Sequence, residues 1–180
     1  MTPQDVVAFW FAESAAQYWF RSTPEFDAEV RQRFEPTWQA AAAGKLSDWA
    51  DTATGALALV VVLDQFPLNM FRDQPAGYST ESAARAVAAR AIEDGFDMEL
   101  EDRQKAFLYL PFMHSEDLAD QDRAVDLFEA AGLTDNLKWA RHHREIVRRF
   151  GRFPHRNAVL GRQSSAEELA WLASPGAFKP

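Results

Sequence analysis

Cysteine is absent from the 180-residue chain. Its absence excludes disulfides, a thiol nucleophile and thiolate-bound zinc or iron–sulfur centres, and it fits a reducing compartment. Long apolar runs are missing as well. The longest, Ala56 to Leu63, falls far short of the roughly 20 residues that a membrane helix needs. Residues 1–5 (Met-Thr-Pro-Gln-Asp) carry an acid where a secretion signal has its basic segment. These absences predict a cytoplasmic protein with no membrane association. Positive charge is also in short supply, with 19 basic against 27 acidic side chains and a formal net charge of −8. That balance argues against a protein that coats nucleic acid with its whole surface. No serine elbow, phosphate-cradling glycine loop or dinucleotide fingerprint occurs, so the common nucleophile and nucleotide chemistries lack their signatures.

What is present is apolar and aromatic. Hydrophobic residues make up 47% of the chain, with 14 Phe and 6 Trp against 3 Tyr. The length suits one domain over residues 1–180, able to bury a core without staples. The periodicity is helical nearly throughout, and no alternating strand pattern persists. Thr2-Pro3 and Thr23-Pro24 are helix starts. From the second, Phe26, Val30, Phe34 and Trp38 form one stripe, with Pro36 expected to bend or break it and Gly44 to stop it. An apolar helix through Leu57 to Leu63 should end or kink at Pro67. Ser79 or Thr80 opens an Ala-rich helix closed by Gly95. Glu101–Leu110 forms another, with Pro111 beyond it. Ser115, Thr134 and Ser165 are read as caps of three later helices, with Leu118, Val125, Phe128 and Val147 facing inward. The sum is an all-α fold of about seven to nine helices stacked as antiparallel hairpins, without a strict ~34-residue repeat.

The charge is uneven. Residues 1–60 hold 4 basic and 8 acidic groups, residues 61–120 hold 5 and 12, and residues 121–180 hold 10 and 7. Lys138, Arg141, Arg144, Arg148, Arg149, Arg152, Arg156 and Arg162 make a local cationic zone, joined by His142, His143 and His155. One reading is a solvated face paired with acids. The other is an anion site, because arginine forks grip carboxylate and phosphate. The segment Phe150 to Asn157 sets Arg152, His155, Arg156 and Asn157 between aromatics that anchor a loop. Two further segments are dense in the same way. Asp64 closes an apolar helix, followed by Gln65, Asn69 and Arg72; if buried it needs a partner. His114 and Glu116 stand just before a helix start. His143 lies beside an apolar face and is either a half-buried hydrogen-bonded residue or a ligand contact.

Three blocks carry a resemblance. Asp64-Gln65-Phe66-Pro67, Pro111 through Glu116 with Gln121, and Arg149 through Asn157 with Leu160-Gly161-Arg162 are similar to the signature blocks of the bacterial domain-of-unknown-function family 924. Phe9-Trp10-Phe11 and Trp19-Phe20 match it too, so the likeness spans the chain. The resemblance implies a tetratricopeptide-like helical fold and no established reaction. Leu68 stands where the family's first block usually has Arg, which would weaken any anion contact made there or shift it to Arg72.

These observations support a pocket for a small anionic ligand, carboxylate or phosphate. Asp64, His114, Glu116 and His155 are its catalytic candidates. Arg72, Asn69, His143, Arg152, Arg156, Asn157 and Arg162 are its ligand-binding candidates. Hydrolysis or proton transfer would be the least demanding chemistry. No cofactor is expected and no metal site is assigned, although His142 and Glu145 have an i, i+3 spacing compatible with ligation. The alternative is a non-catalytic scaffold offering a groove to a peptide or protein, the polar blocks then forming an internal network. Nucleic acid is the least supported partner, and oligomeric state is not legible.

Overall fold

Threonine hydroxyls and the prolines after them begin the first helices of the computed structural model, which describes residues 1–174 and 177. Helix α1 (Pro3–Trp10) opens on a reciprocal capping box, Thr2 with Asp5. A short α2 (Glu13–Ala16) follows, then α3 (Pro24–Ala42), with Thr23 as N-cap. Pro36 does not break α3: it lies on the exposed face, where the carbonyl it leaves free can meet water, while Phe26, Val30, Phe34, Thr37 and Ala41 are buried. Gly44, at φ +71°, stops the helix as expected. The Lys45 N–H reaches the Ala40 carbonyl and the Gly44 N–H the Ala41 carbonyl, both at 2.9 Å.

All regular elements among the described residues are helical. The chain divides into two compact units, residues 1–72 with 76–111, and residues 73–75 with the chain from Phe112 on.

At the heart of unit 1 lies α4 (Ala53–Val60), which packs against α1 and α6 (Glu81–Glu93). It does not end at Pro67. A π-helical turn, Val61–Gln65, carries it into α5 (Phe66–Met70). Proline at 67 has no N–H for the Leu63 carbonyl. The Thr80 hydroxyl donates to that oxygen instead at 2.6 Å and accepts from Trp38 Nε1 at 3.2 Å. Thr80, one of the two residues expected to open α6, sits at its N-cap, but its hydroxyl is committed to Leu63 and makes no cap bond. The whole stretch Ala53–Met70 is long and apolar enough to cross a membrane by composition, yet 89% of it is buried inside the protein, as a core helix is. Gly55 permits that packing: a Cβ there would lie 2.0 Å from the Trp49 carbonyl oxygen.

Around α4 and α5 the aromatics stack. Trp10 meets Phe66 and Phe107 edge-on at 5.5 and 5.8 Å, and Phe34 lies 4.5 Å from Phe66. Such pairs contribute about 0.5–1.5 kcal/mol each beyond burial. The aromatic excess of the sequence is therefore mainly core.

Helix α7 (Asp102–Met113) includes Pro111 rather than stopping before it. Unit 2 is built on α8 (Leu118–Ala130) and α9 (Thr134–Phe150), which pack together across the turn at Gly132. The cap of α8 is Asp117, not Ser115. Its carboxylate accepts from Ala119 N at 2.7 Å, whereas the Ser115 hydroxyl donates to Asp120 at 2.6 Å. Aspartate carries a full charge at the positive helix end, so it wins the position. Thr134 is the first residue of α9 rather than its cap. Leu118, expected inward, is largely exposed. The final helix, α10 (Ala166–Leu172), begins with the Ser165–Glu168 capping box predicted from the sequence.

Candidate functional site

The candidate residues fall in both units. In unit 1, the π turn places Asp64 with no exposed surface, at the end of the apolar run that buries it. The Gln65 amide donates to its carboxylate at 2.5 Å. A carboxylate oxygen of Glu81, also buried, lies within 4.8 Å of an Asp64 oxygen. Carboxylates this close repel in a dry setting unless a donor, proton or cation offsets the charge, and the Gln65 amide supplies a donor to Asp64. Glu81 was missed in the sequence because a glutamate in a first helical turn already has an explanation in the helix dipole.

Asn69 and Arg72 form a separate cluster. Arg72 grips Asp27 through Nε at 2.6 Å and Nη2 at 3.2 Å, while Asn69 and Ser22 donate to the same carboxylate at 2.7 and 2.6 Å. Burial pushes the Asp27 carboxyl up, but Arg72, Ser22 and Asn69 outweigh it and hold the pKa below the usual carboxylate range.

In unit 2 the long polar loop after α9 folds onto itself. Gly151 ends α9 at φ +68°. Phe153 then turns inward and is fully buried with Ile146 and Val147. That anchor fixes the residues on either side. Glu116 accepts the Phe153 N–H at 2.7 Å and a two-pronged contact from Arg162, at 2.5 and 2.8 Å. Arg162 also donates to Asn157 Oδ1 at 3.0 Å and to the Phe153 carbonyl at 3.2 Å. Asn157, with no exposed surface, donates to Ser164. Arg152 clamps Glu168 at 2.7 and 2.9 Å. Glu116 is raised by burial and lowered more strongly by Arg162 and the Phe153 amide, so it stays ionised. Arg152 and the Ser165 N–H pull Glu168 down to about 2. Glu168 looked in the sequence like a capping residue only. Its partner, 16 positions away, is a tertiary fact.

Beside this brace gather three imidazoles and a guanidinium. The Arg156 guanidinium lies 4.8 Å over the Phe153 ring, and the rings of His143 and His155 lie 5.5 and 5.4 Å from it. His143 Nδ1 is 2.9 Å from the Trp139 carbonyl, which can only accept; the neutral ring therefore carries its hydrogen on Nδ1. Burial depresses His143 to about 3, with His114, His142 and His155 adding repulsion against the Trp139 carbonyl. Burial also lowers His155 to about 4, followed by repulsion from Arg156, and Glu116 opposes the shift. His114, in the turn before α8, is near enough to disfavour a proton on both rings. Gln121, fully buried, holds the turn that bears His114: its amide donates to the carbonyls of Met113 and Ser115 at 2.7 and 2.6 Å.

The cationic zone is largely paired. Besides Arg152 and Arg162, Arg141 meets Glu129, Arg144 meets Asp122, Arg148 meets Glu145 and Arg149 meets Glu167. Arg156 is the buried guanidinium of the group.

The all-α chain with this polar loop matches one family model, "Bacterial protein of unknown function (DUF924)", over residues 6–176. The chain belongs to that family. It is also similar to a solved protein of unknown function from Agrobacterium tumefaciens, ATU0120. The two share 42% identity over 95% of this chain and 96% of the other, with a TM-score of 0.90. No curated protein matches the chain.

Proposed function

We propose that unit 2 binds a small anion of the carboxylate or phosphate class at the cluster of Arg156, His155 and His114. The observation that carries this reading is the convergence of two imidazoles, His143 and His155, and the Arg156 guanidinium on the buried Phe153 ring, with His114 near enough to act on both imidazoles. An anion beside the buried Arg156 guanidinium gains a charge-assisted contact in a half-dry place, where Coulomb interactions are stronger than in water. Glu116, held ionised next to His155, fixes the local field. His155 and His114 are the groups able to move a proton on a bound substrate, which makes hydrolysis or proton transfer the accessible chemistry. A chain without cysteine fits a reducing cytoplasm as the setting of this activity.

The experiment is mass spectrometry of small molecules retained by gently purified protein, alongside an Arg156→Gln variant. A retained anion in the natural protein, lost in the variant, supports the reading. Clean protein, together with histidine ring resonances that do not move when phosphate and small carboxylates are added, refutes it.

A second reading takes the helices as a tetratricopeptide-like, peptide-binding scaffold. It is favoured by the saturation of Arg152, Arg162, Glu116 and Glu168 with one another, which is how a purely structural brace is built. Under this reading a peptide partner, and not a small molecule, would shift the histidine resonances.

A further inference from the structure

We infer that anion capture at this cluster is proton-linked, the ligand arriving together with one solvent proton taken up on an imidazole, His155 first, so that the site grips an anion more tightly as the pH falls. The inference rests on the anion-binding reading and says how that site is controlled. It stands on placement. His155 and Arg156 are chain neighbours that both pack against Phe153, at 5.4 and 4.8 Å, and the guanidinium acts directly on the imidazole. A bound anion that meets Arg156 therefore also acts on His155.

The charged and titratable groups around His155 come from several segments. Arg156 is its neighbour, Arg162 comes from the end of the same loop, and His114 and Glu116 come from the turn before α8. Around His143 stand His114, His142 and His155. Arg156, Arg162 and His114 oppose a proton on His155, and Glu116 alone among these favours it. A second anion changes that balance in the direction of Glu116 and raises the proton affinity of the ring. Linkage is reciprocal, so protonating the ring must raise anion affinity by the same factor. The step is a proton transfer alone: the proton passes from solvent to the unprotonated nitrogen of the neutral imidazole, forming an N–H bond, and returns to solvent when the anion leaves.

The protein as it exists is titrated calorimetrically with sulfate and, separately, trifluoroacetate, neither of which takes a proton between about pH 5 and about pH 8. At least one of the two should bind. From about pH 7.5 to about pH 5.5 its Kd should tighten at least threefold, the ceiling being about tenfold per pH unit for one proton. Repeating the titration in buffers of different ionisation heat should give net proton uptake. His155→Gln should abolish that uptake. Should this variant fold poorly, the His155 Cε1–Hε1 resonance of the natural protein serves instead, its titration midpoint moving up when the binding anion is added. Binding with a pH-independent Kd and no proton uptake overturns the inference and leaves anion binding standing. Uptake that persists undiminished in a folded His155→Gln protein overturns the assignment to His155. Binding of neither anion at any pH overturns the anion-binding reading itself.

Discussion

Arg162→Ala is the most informative single perturbation of the unit 2 brace. The side chain makes two bonds to Glu116, one to Asn157 and one to the Phe153 carbonyl, and it is only 25% exposed against 27% for Glu116. Hydrogen bonds to charged groups are worth about 1.5–3 kcal/mol each when a partner is stranded, but they share one desolvated carboxylate and do not add. Glu116 keeps the Phe153 N–H, and partial exposure screens the rest. The expected loss is about 2–3 kcal/mol, or roughly 4–12 °C in melting temperature for a chain of this size. The internal standard is Arg148→Ala. That arginine also pairs with a carboxylate at 2.6 Å, Glu145, yet the two side chains are 64% and 51% exposed. Exposed pairs contribute about 0–1 kcal/mol. The assay is urea denaturation combined with hydrogen exchange of the Phe153 amide, which separates local opening of unit 2 from global unfolding. A double-mutant cycle with Glu116→Ala isolates the pair. If Arg162→Ala and Arg148→Ala cost the same, and the Phe153 amide exchanges no faster, the brace carries no stability and the argument from partial burial is wrong.

Other outcomes follow from the same reasoning. Thr80→Val removes the hydroxyl that satisfies the Leu63 carbonyl and should cost about 1–3 kcal/mol in a denaturant titration, with Thr80→Ser recovering most of it. Gly55→Ala should destabilise unit 1 by more than about 2 kcal/mol, because its Cβ would meet backbone rather than a movable side chain; a neutral result would show that α4 can slide away from Trp49. Acid should weaken the fold in a defined window. His143 binds its proton at about 3 when folded and near the ordinary 6.5 when unfolded. The unfolded chain therefore holds more protons between those values, and stability falls as pH drops from about 6.5, by at most about 1.4 kcal/mol per pH unit for this group. His155 acts in the same direction, and the lowered Glu116 and Glu168 add a further loss below the ordinary carboxylate range. Replacing His143 with Gln should shallow the slope between pH 6.5 and 4 in a pH series of melting temperatures.

The sequence by itself determined much of the secondary structure, because the deciding interactions are local. Thr2 caps through Asp5 and Ser165 through Glu168, three residues away, and Gly44, Gly95 and Gly151 stop helices by their own positive φ. The blocks that proved dense in structure were visible as unusual mixtures of Arg, His and Asn between aromatics. The helix breaks expected as one outcome at Pro36 and Pro67 do not occur, for a physical reason. Whether Pro36 or Pro67 ends a helix depends on who receives the carbonyl it frees, water in one case and Thr80 in the other, and a hydroxyl 17 residues from Leu63 leaves no local trace. The choice of Asp117 over Ser115 as a cap is by contrast a local competition, in which the charged Asp117 takes the helix end and Asp120, five residues on, takes the serine hydroxyl. Charge pairing was the least legible. The run of cations from Lys138 to Arg162 suggested an anion site or a solvated face, and only the packing of α8 and α10 beside it supplied Glu129, Asp122, Glu167 and Glu168 as partners. Tertiary structure thus decided which charges neutralise one another and which imidazoles gather around Phe153, because Coulomb interactions act through space and the sequence orders residues along only one dimension.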